Sequence, residues 1–370
     1  MGVMKIVFVI DVMRKGGGAQ KVISILLPIL QNNGFFVELI VLKKTTQLLE
    51  IPNIKRHYIL CNESQSLVSN SFFILEQMTQ IAKDADLICS FMDFATSYFV
   101  GLSAKILLKP YYVFVRCEPS YVVKTFSQAM INQKLYSLCL QGAQKVICNS
   151  NSSLRDIVEN FGVKEEKGEV LYNPIDFRSL EILANRGQKI QRVDKEIICV
   201  SVGRLHSQKN YHILLEACRV LQERRENIRF FIIGEGELRT ELENKKKEYN
   251  LVNLEFLGYH ANMYGFLKSA DIFLHLSATE GFPNAVLEAA SFSKPLILSN
   301  IRPHREVFEK NALFFEVDDV EGLCECIKAM EDEEVREHFS LTARQCVESF
   351  SYERFEKEVL EEFRAFGKPS

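Results

Sequence analysis

A chain of 370 residues, 47% hydrophobic and 25% charged, has the composition of a globular protein and is long enough for two domains. A formal net charge of −3 without a basic stripe argues against a nucleic-acid-binding protein, and no uncharged apolar run reaches the ~18 residues of a transmembrane helix. Ten scattered cysteines without a C-x-x-C pair predict a reducing, cytoplasmic location and no zinc site.

The first predicted element is an apolar strand at residues 4–10, and a glycine-rich loop with Gly17 and Gly18 follows it into a helix. Glycine lets the backbone approach a phosphate closely, and a helix start favours an anion. The alternative is a tight turn without a ligand. Because the G-x-G-x-x-G pattern of dinucleotide-binding proteins is absent, no nicotinamide cofactor is expected. No cofactor of another kind is predicted.

Strand and helix patterns alternate along the whole chain. Strands are predicted at residues 4–10, 36–42, 87–91, 111–115, 145–148, 197–202, 229–233, 254–257, 272–276 and 295–298. This alternation predicts an α/β protein with parallel sheets covered on both faces, and two sheets of five or six strands are more plausible than one of ten. A domain boundary is predicted near Asn173.

The first part of the chain is mildly basic. Residues 1–170 contain 18 Lys and Arg against 14 Asp and Glu, a net charge of +4. The pairs Lys43-Lys44 and Lys55-Arg56, with the nearby Phe72-Phe73, suit contact with an anionic membrane. The alternative is that these pairs lie in solvated loops.

A divalent metal site is not predicted. The one D-x-D match, Asp84-Ala85-Asp86, precedes the strand at residues 87–91 and therefore lies at the wrong end of that strand for a ligand. It is interpreted as a solvated turn.

Two cations follow the strand at residues 197–202. Arg204 and Lys209 lie in one loop after Gly203, and Asn210 is predicted to cap the next helix. An arginine fork and a lysine point charge on one loop can bind both phosphates of a diphosphate. The next two strands end in glycine, at Gly234 and before Tyr259, where backbone can line a nucleotide.

The most informative segment is residues 280–288, where Glu280 and Glu288 bracket a turn that opens a helix. Pro283 is predicted at the first helical position, which leaves the next backbone N–H groups pointing towards an anion. Glu288 lies about 6 Å further along the helix axis. One carboxylate on each side of a diphosphate suits a nucleotide sugar, whose rings carry hydroxyl groups.

Five segments of the chain, in order and spacing, resemble the retaining glycosyltransferases of family 4. They are residues 16–22, 170–176, 201–210, 232–238 together with 254–259, and 280–288. The resemblance implies the GT-B fold, in which two Rossmann-like parallel-sheet domains face each other across a cleft. It implies an acceptor-side domain at 1–172, joined by a returning helix at 352–370, and a nucleotide-sugar domain at 173–351.

The resemblance also implies roles for individual residues. Arg204 and Lys209 hold the leaving diphosphate, Glu280 positions the hydroxyls of the sugar, and Glu288 binds the ribose. The other positions implied as substrate-binding are Gly17, Gly18, Gly203, Gly234, Tyr259, Gly281, Phe282, Asn284, Ala285 and Val286.

One segment departs from the family. Where many members have a histidine after the strand equivalent to 111–115, this chain has Cys117 or Glu118. Arg116 or Glu118 is a candidate substitute on the acceptor side, and a structural role is equally open for both. None of the seven histidines shows a catalytic spacing; His206 and His304 are interpreted as loop residues near the site.

These patterns together predict a metal-independent, retaining transferase that moves a hexose or N-acetylhexosamine from a nucleotide sugar, with UDP as the expected nucleotide. The expected acceptor is a glycan or an undecaprenyl-diphosphate-linked glycan of a bacterial surface-glycan pathway, reached at the inner face of the cell membrane. The alternatives are a nucleotide-sugar epimerase of the same fold and a catalytically idle scaffold. An idle scaffold would be expected to lose Arg204, Lys209 or Glu280, and all three are present.

Overall fold

The computed structural model describes residues 3–193, 195–224 and 227–366. The chain divides into two compact units. The first comprises the residues up to Pro174 together with the segment from Glu353 onward, and the second is Ile175–Tyr352. Among the described residues, no helix is both long and apolar enough to cross a membrane.

The first unit is built on a parallel sheet. Its strands are β1 (Lys5–Val12), β2 (Phe36–Lys43), β3 (Lys55–Leu60), β4 (Leu87–Ser90), β5 (Tyr111–Val115), β6 (Lys145–Cys148) and β7 (Gly168–Val170). They lie in the order β3-β2-β1-β4-β5-β6-β7, and every pair is parallel. The accompanying helices are α1 (Gly18–Asn32), α2 (Ser71–Ala82), α3 (Ala95–Leu107), α4 (Pro119–Val123), α5 (Ala129–Gly142) and α6 (Asn151–Phe161).

The second unit repeats this plan. Its strands are β8 (Ile197–Val202), β9 (Ile228–Ile233), β10 (Leu254–Gly258), β11 (Ile272–His275), β12 (Leu296–Ser299) and β13 (Leu313–Phe315), in the parallel order β10-β9-β8-β11-β12-β13. Its helices are α7 (Phe177–Arg186), α8 (Tyr211–Glu223), α9 (Arg239–Glu248), α10 (Tyr264–Ser269), α11 (Asn284–Ser291), α12 (Arg302–Phe308), α13 (Val320–Ala329) and α14 (Glu333–Val347). Three 3₁₀ turns occur in the described chain, at Glu165–Lys167, Ser207–Lys209 and Glu348–Phe350.

The last described helix, α15 (Tyr352–Phe366), packs in the first unit. Phe355, Val359 and Phe363 form its buried face. The ring of Phe363 lies 6.0 Å from that of Phe8 on β1 and 6.1 Å from that of Tyr112 on β5. Residues far apart in the sequence thus complete one core.

In each sheet the strand order reverses at one point. The reversal lies between β1 and β4 in the first unit and between β8 and β11 in the second. Open α/β sheets bind ligands beyond the carboxyl ends of the strands at such a point. The loop with Arg204 and Lys209 follows β8, and the loop with Glu280 follows β11, so both sides of this position carry predicted site residues.

The sequence patterns missed three strands, β3, β7 and β13, and all three lie at sheet edges. Edge strands can be short and polar because one side faces solvent. β7 and β13 have three residues each, and β3 contains the run Lys-Arg-His. The first sheet therefore has seven described strands, more than predicted, whereas the six described strands of the second lie within the predicted five or six.

The strand β3 changes the interpretation of its basic pair. Lys55 bonds to the carboxylate of Glu38 at 2.9 Å, and His57 lies 3.0 Å from the same group. Glu38 is only 2% exposed; burial alone would raise its pKa, but Lys55, His57 and Lys5 lower it below its ordinary value. Lys55 therefore neutralises a buried carboxylate and does not belong to a solvated loop.

Candidate active site

The loop after β8 is held against the neighbouring strand end by close backbone contact. A Cβ atom at Gly234, where φ is +151°, would lie 1.9 Å from the carbonyl oxygen of Gly203. A Cβ atom at Gly203 would in turn lie 3.3 Å from the Lys209 side chain and 3.0 Å from the Tyr211 hydroxyl. Glycine is required at 234 because any side chain would push the two loops apart.

Lys209 and Glu280 meet at the point where the strand order reverses. Lys209 ends the 3₁₀ turn Ser207–Lys209, and its ammonium forms an ion pair with Glu280 Oε1. The Ser277 hydroxyl donates to the same carboxylate oxygen at 2.7 Å. Gln208 ties the two loops together, because its side-chain amide donates to the Thr279 carbonyl at 2.9 Å and its own carbonyl accepts from Ala278 N at 2.9 Å. The structure thus brings together two of the three residues predicted to be catalytic.

Two histidines that the sequence patterns did not single out for this role lie behind this pair. His275 ends β11, and its Nε2 lies 3.3 Å from Lys209 Nζ. Its Nδ1 lies 2.8 Å from Nε2 of His304, whose Nδ1 lies 2.8 Å from the carbonyl oxygen of Ser299. His304 is fully buried in α12, so its interpretation as a loop residue was wrong. A histidine inside an apolar strand pattern was the available signal, but the sequence does not indicate its partner.

Both imidazoles are held in the neutral form. Burial, followed by the charge of Lys209, lowers the pKa of His275 well below its ordinary value of 6.5. Burial also lowers the pKa of His304 to about 4, against a smaller opposing effect of its hydrogen bond to Ser299. Neither ring adds positive charge to the site near neutral pH.

The lowered pKa values predict a loss of stability in mild acid. The unfolded chain binds protons at His304 below about pH 6.5, whereas the folded chain does so only near pH 4, so the free energy of unfolding falls as the pH drops through this window. Between pH 6.5 and 5 we expect a loss of about 2 kcal/mol from His304. Thermal unfolding of the wild type, a His275→Leu/His304→Leu variant and the surface control His338→Leu at both pH values measures it. If the double variant keeps the full pH dependence of the control, the buried pair is not its source.

The start of α11 differs in detail from the prediction. Pro283 is the N-cap residue and Asn284 the first helical residue, so the helix begins one position later than predicted. The amide of Asn284 bonds to the Phe282 carbonyl and that of Val286 to the Pro283 carbonyl. Of these first amides, that of Ala285 has no acceptor among the described residues. The predicted row of three outward amides is therefore wrong, because the turn satisfies two of them internally.

Phe282 and Glu288 are both buried. The ring of Phe282 is 5% exposed and packs 5.5 Å from that of Phe350, so it belongs to the core of the second unit. Glu288 is 7% exposed on α11, and the hydroxyl of Tyr264 lies 3.4 Å from its Oε1. A buried carboxylate retains hydrogen-bond partners, and Tyr264 is one that the sequence did not reveal.

Arg204, Tyr259 and Asn210 lie around the same edge. The Arg204 side chain is exposed and forms no ion pair or hydrogen bond within the described ranges. Tyr259 follows β10 and is half exposed. Asn210 precedes α8 as predicted, but it adopts a left-handed conformation and its side chain bonds to Asp318 instead of capping the helix.

In the first unit, the glycine-rich loop follows β1 as predicted. Gly17 is the N-cap of α1 and Gly18 its first residue. A Cβ atom at Gly17 would lie 1.9 Å from the amide oxygen of Gln20, whose nitrogen donates to the Val12 carbonyl at 2.9 Å. A side chain at position 17 would therefore displace the Gln20 side chain from its hydrogen bond to Val12.

Arg116 and Glu118 follow β5 at the carboxyl edge of the first sheet. The Arg116 guanidinium stacks on Phe91 with 4.9 Å to the ring centre and donates to Asn173 Oδ1 at 2.6 Å. Burial lowers its pKa to about 10, and the nearby Asp93 opposes this shift. Glu118 accepts from the Ser152 hydroxyl at 2.9 Å. Both side chains thus serve the local structure.

No cluster of three His, Cys, Asp or Glu side chains that could hold a metal occurs in the described part of the chain. Asp86 of the D-x-D match accepts from the Lys5 amide at 2.8 Å, before β4. The position of this aspartate therefore agrees with a turn.

Two families account for most of the sequence. Residues 16–178 match the family described as Glycosyltransferase Family 4. Residues 185–346 match the family described as Glycosyl transferases group 1.

Individual relatives span the whole chain or half of it. The chain is 29% identical over 360 residues, 93% of its length and 95% of the other, to the Campylobacter jejuni N-acetylgalactosamine-N,N'-diacetylbacillosaminyl-diphospho-undecaprenol 4-alpha-N-acetylgalactosaminyltransferase. It is 28% identical over 210 residues, 54% of each chain, to the Escherichia coli UDP-Gal:alpha-D-GlcNAc-diphosphoundecaprenol alpha-1,3-galactosyltransferase.

The structure of Anabaena HepE in complex with UDP and glucose superposes with a TM-score of 0.82 at 19% identity, covering 98% of this chain and 100% of the other. At 19% identity the structural similarity shows a shared fold and nothing further. The prediction of two Rossmann-like domains of GT-B type is thereby confirmed.

Proposed function

We propose that this chain, which belongs to the glycosyltransferases of family 4, moves a hexose or N-acetylhexosamine from a UDP-sugar to a lipid-linked glycan, with retention of configuration at the sugar. The observation that carries the proposal is the Lys209–Glu280 pair at the reversal point of the second sheet. A cation for a phosphate and a carboxylate for sugar hydroxyls lie side by side there.

The donor is assigned from chemistry and from relatives. Lys209 and the exposed Arg204 share one loop, where their charges suit a diphosphate. The HepE structure contains UDP, and the Escherichia coli relative is named for UDP-Gal. Glu288, on the helix after the Glu280 loop, is proposed to accept from the ribose hydroxyls.

The difficult event is departure of the nucleoside diphosphate. The bond between the anomeric carbon and the phosphate oxygen breaks, and negative charge grows on that oxygen. Lys209 and Arg204 stabilise this charge, which is the kind of interaction that accelerates the step. The acceptor hydroxyl attacks from the face that UDP leaves and passes its proton to the departing phosphate oxygen. Because these two cations balance the negative charge of the departing diphosphate, the proposed reaction needs no metal.

The acceptor is proposed to be an undecaprenyl-diphosphate-linked glycan, because two relatives are named for such substrates. Arg116 and Glu118, at the carboxyl edge of the first sheet, are proposed as acceptor-side residues. Since both already have structural partners, they would act mainly by shaping that edge.

A lipid-linked acceptor implies a membrane contact at the inner face, and the first unit has a suitable surface. We call it the α3–α5 surface; its exposed apolar side chains are Leu102, Ile106, Leu108, Met130, Ile131, Leu135 and Leu138. Met130 is 85% exposed, and Lys105 and Lys134 are exposed on the same two helices. Residues 95–142 contain five Lys and Arg and one acidic residue. Apolar groups mixed with cations fit an anionic bilayer surface better than the pair Lys55-Arg56, whose lysine is paired with Glu38.

We expect the wild type to co-sediment with phosphatidylglycerol vesicles and the Met130→Asp/Ile131→Asp variant to bind at least roughly tenfold more weakly, because two apolar side chains no longer enter the bilayer. Leu341→Asp, which removes an exposed apolar residue of the second unit, is the matched control. Equal binding by all three proteins would rule out the α3–α5 surface as the membrane contact.

The proposed function is tested with a panel of nucleotide sugars, each with and without a lipid-linked glycan extract. A transferase releases UDP only when an acceptor is present, whereas an epimerase converts the donor without acceptor and an idle scaffold does neither. Parallel reactions with EDTA should keep their rate. Loss of activity in EDTA with recovery in magnesium or manganese would contradict the metal-independent mechanism.

A further inference from the structure

We propose that His275 is a positioning residue: its Nε2 lone pair accepts one N–H of Lys209 and fixes the direction of the ammonium group, and His304 with the Ser299 carbonyl selects the tautomer of His275 that makes this possible. The inference rests on the proposed function, because Lys209 is the cation assigned to the diphosphate. It concerns a buried chain of hydrogen bonds that the proposed mechanism does not itself require.

The tautomers of both histidines follow from the Ser299 end of this series of hydrogen bonds, where the role of the partner is fixed. The Ser299 carbonyl oxygen, 2.8 Å from His304 Nδ1, can only accept, so Nδ1 of His304 carries a hydrogen. In a neutral ring the other nitrogen is then a bare acceptor. His275 Nδ1, 2.8 Å away, must donate to it, and this leaves Nε2 of His275 with its lone pair directed at Lys209 Nζ, 3.3 Å away.

Every bond of this chain points in one direction, from Lys209 through His275 and His304 to the Ser299 backbone. Such chains polarise one another and strengthen each bond. The Ser299 hydroxyl donates to the Ser277 carbonyl at 2.6 Å, and the Ser277 hydroxyl donates to Glu280. Both members of the ion pair are therefore anchored to the same buried residue, Ser299.

The hydrogen-bond capacity of Lys209 gives the arrangement its function. An ammonium group has three N–H donors and no acceptor. Glu280 takes one and His275 takes a second, so one remains, and its direction is set by the other two. The charged groups that contact His275 are Lys209 and Glu280, and the imidazolium form would repel the lysine. A neutral acceptor at this position orients the ammonium without cancelling its charge.

The first test reads the tautomers directly and needs no turnover. In ¹⁵N-histidine-labelled protein, His275 and His304 are expected to carry hydrogen on Nδ1 and a bare Nε2, unchanged from pH 7.5 to 5.5. Spectra of His275→Gln and His304→Leu assign the two signals. A hydrogen on His275 Nε2, or an imidazolium form at pH 7, would overturn the proposal.

The second test measures transfer kinetics. We expect His275→Leu to lower kcat about 10- to 100-fold with little change in donor KM, because a hydrogen bond to a charged group is lost. In His275→Gln the side-chain oxygen can take the place of Nε2, so most of the rate should return. His304 bonds to His275 and not to Lys209 or Glu280. His304→Leu should nevertheless lower kcat, because the tautomer of His275 is then no longer selected. The control is His338→Gln, on the surface of α14.

A purely structural role is separated by a double-mutant cycle. In a Lys209→Ala background His275→Leu should have no further effect, since the group on which it acts is gone. An equal loss in both backgrounds, or a wild-type rate for His275→Leu, contradicts the proposal. If the wild type itself releases no nucleotide from any donor, the proposed function fails, and the nitrogen spectra still decide the tautomers.

Discussion

Replacing Lys209 by alanine is expected to lower turnover about 100- to 1,000-fold while the protein stays folded. Loss of one preorganised donor to charge that develops in a transition state typically has this effect. The side chain contributes an ion pair to Glu280 and a contact to His275, and its backbone stays in the 3₁₀ turn Ser207–Lys209. Arg204→Ala should act in the same direction, because this exposed arginine shares the loop.

The measurement is steady-state UDP release with thermal unfolding as the check on folding. Lys268→Ala is the matched control, since Lys268 also forms an ion pair, with Glu181, on the second unit. The control should retain wild-type turnover. Near-wild-type rates for both Lys209→Ala and Arg204→Ala would eliminate this loop as the diphosphate site.

The second large effect separates the two glutamates. Glu288→Ala is expected to weaken binding of UDP itself about 5- to 150-fold, because a buried ribose hydroxyl left without its acceptor loses about 1–3 kcal/mol. Glu280→Ala should leave UDP affinity nearly unchanged and lower turnover, since the proposed contact of Glu280 is with the sugar. Its removal also frees one N–H of Lys209.

Calorimetric titration of UDP into the two variants decides between the assignments. Glu288→Gln serves as the control for packing, because Glu288 is buried and its Oε1 lies 3.4 Å from the Tyr264 hydroxyl. A loss of UDP affinity in Glu280→Ala together with its retention in Glu288→Ala would mean that the donor lies in the opposite orientation.

Sequence patterns predicted the sheets well where strands are buried on both faces. The run from Ile6 to Ile10 is apolar throughout and fully buried in β1. β3 was missed because it begins with Lys-Arg-His, and Glu38, the partner of Lys55 and His57, lies on another strand. Pairing across strands is a property of the fold and leaves no local signature.

The candidate site was predictable to the same degree. The loops with Lys209 and Glu280 were identified because short motifs at strand ends carry their own chemistry, and the fold brings these two side chains into contact. The first amides of α11 were predicted less well, since the turn at Pro283 satisfies two of them. The contacts of His275 could not be predicted from the sequence, because its partner His304 lies 29 positions away.

The return of α15 to the first unit also bears on how the chain is made. Protein synthesis proceeds from the amino end, so β1 and β5 leave the ribosome long before Phe363, which packs against Phe8 and Tyr112. The whole second unit is synthesised in between. The second unit can therefore reach its final fold while the first still exposes an apolar surface. A chain truncated before Tyr352 lacks the helix that covers this surface and leaves it open to chaperones and proteases.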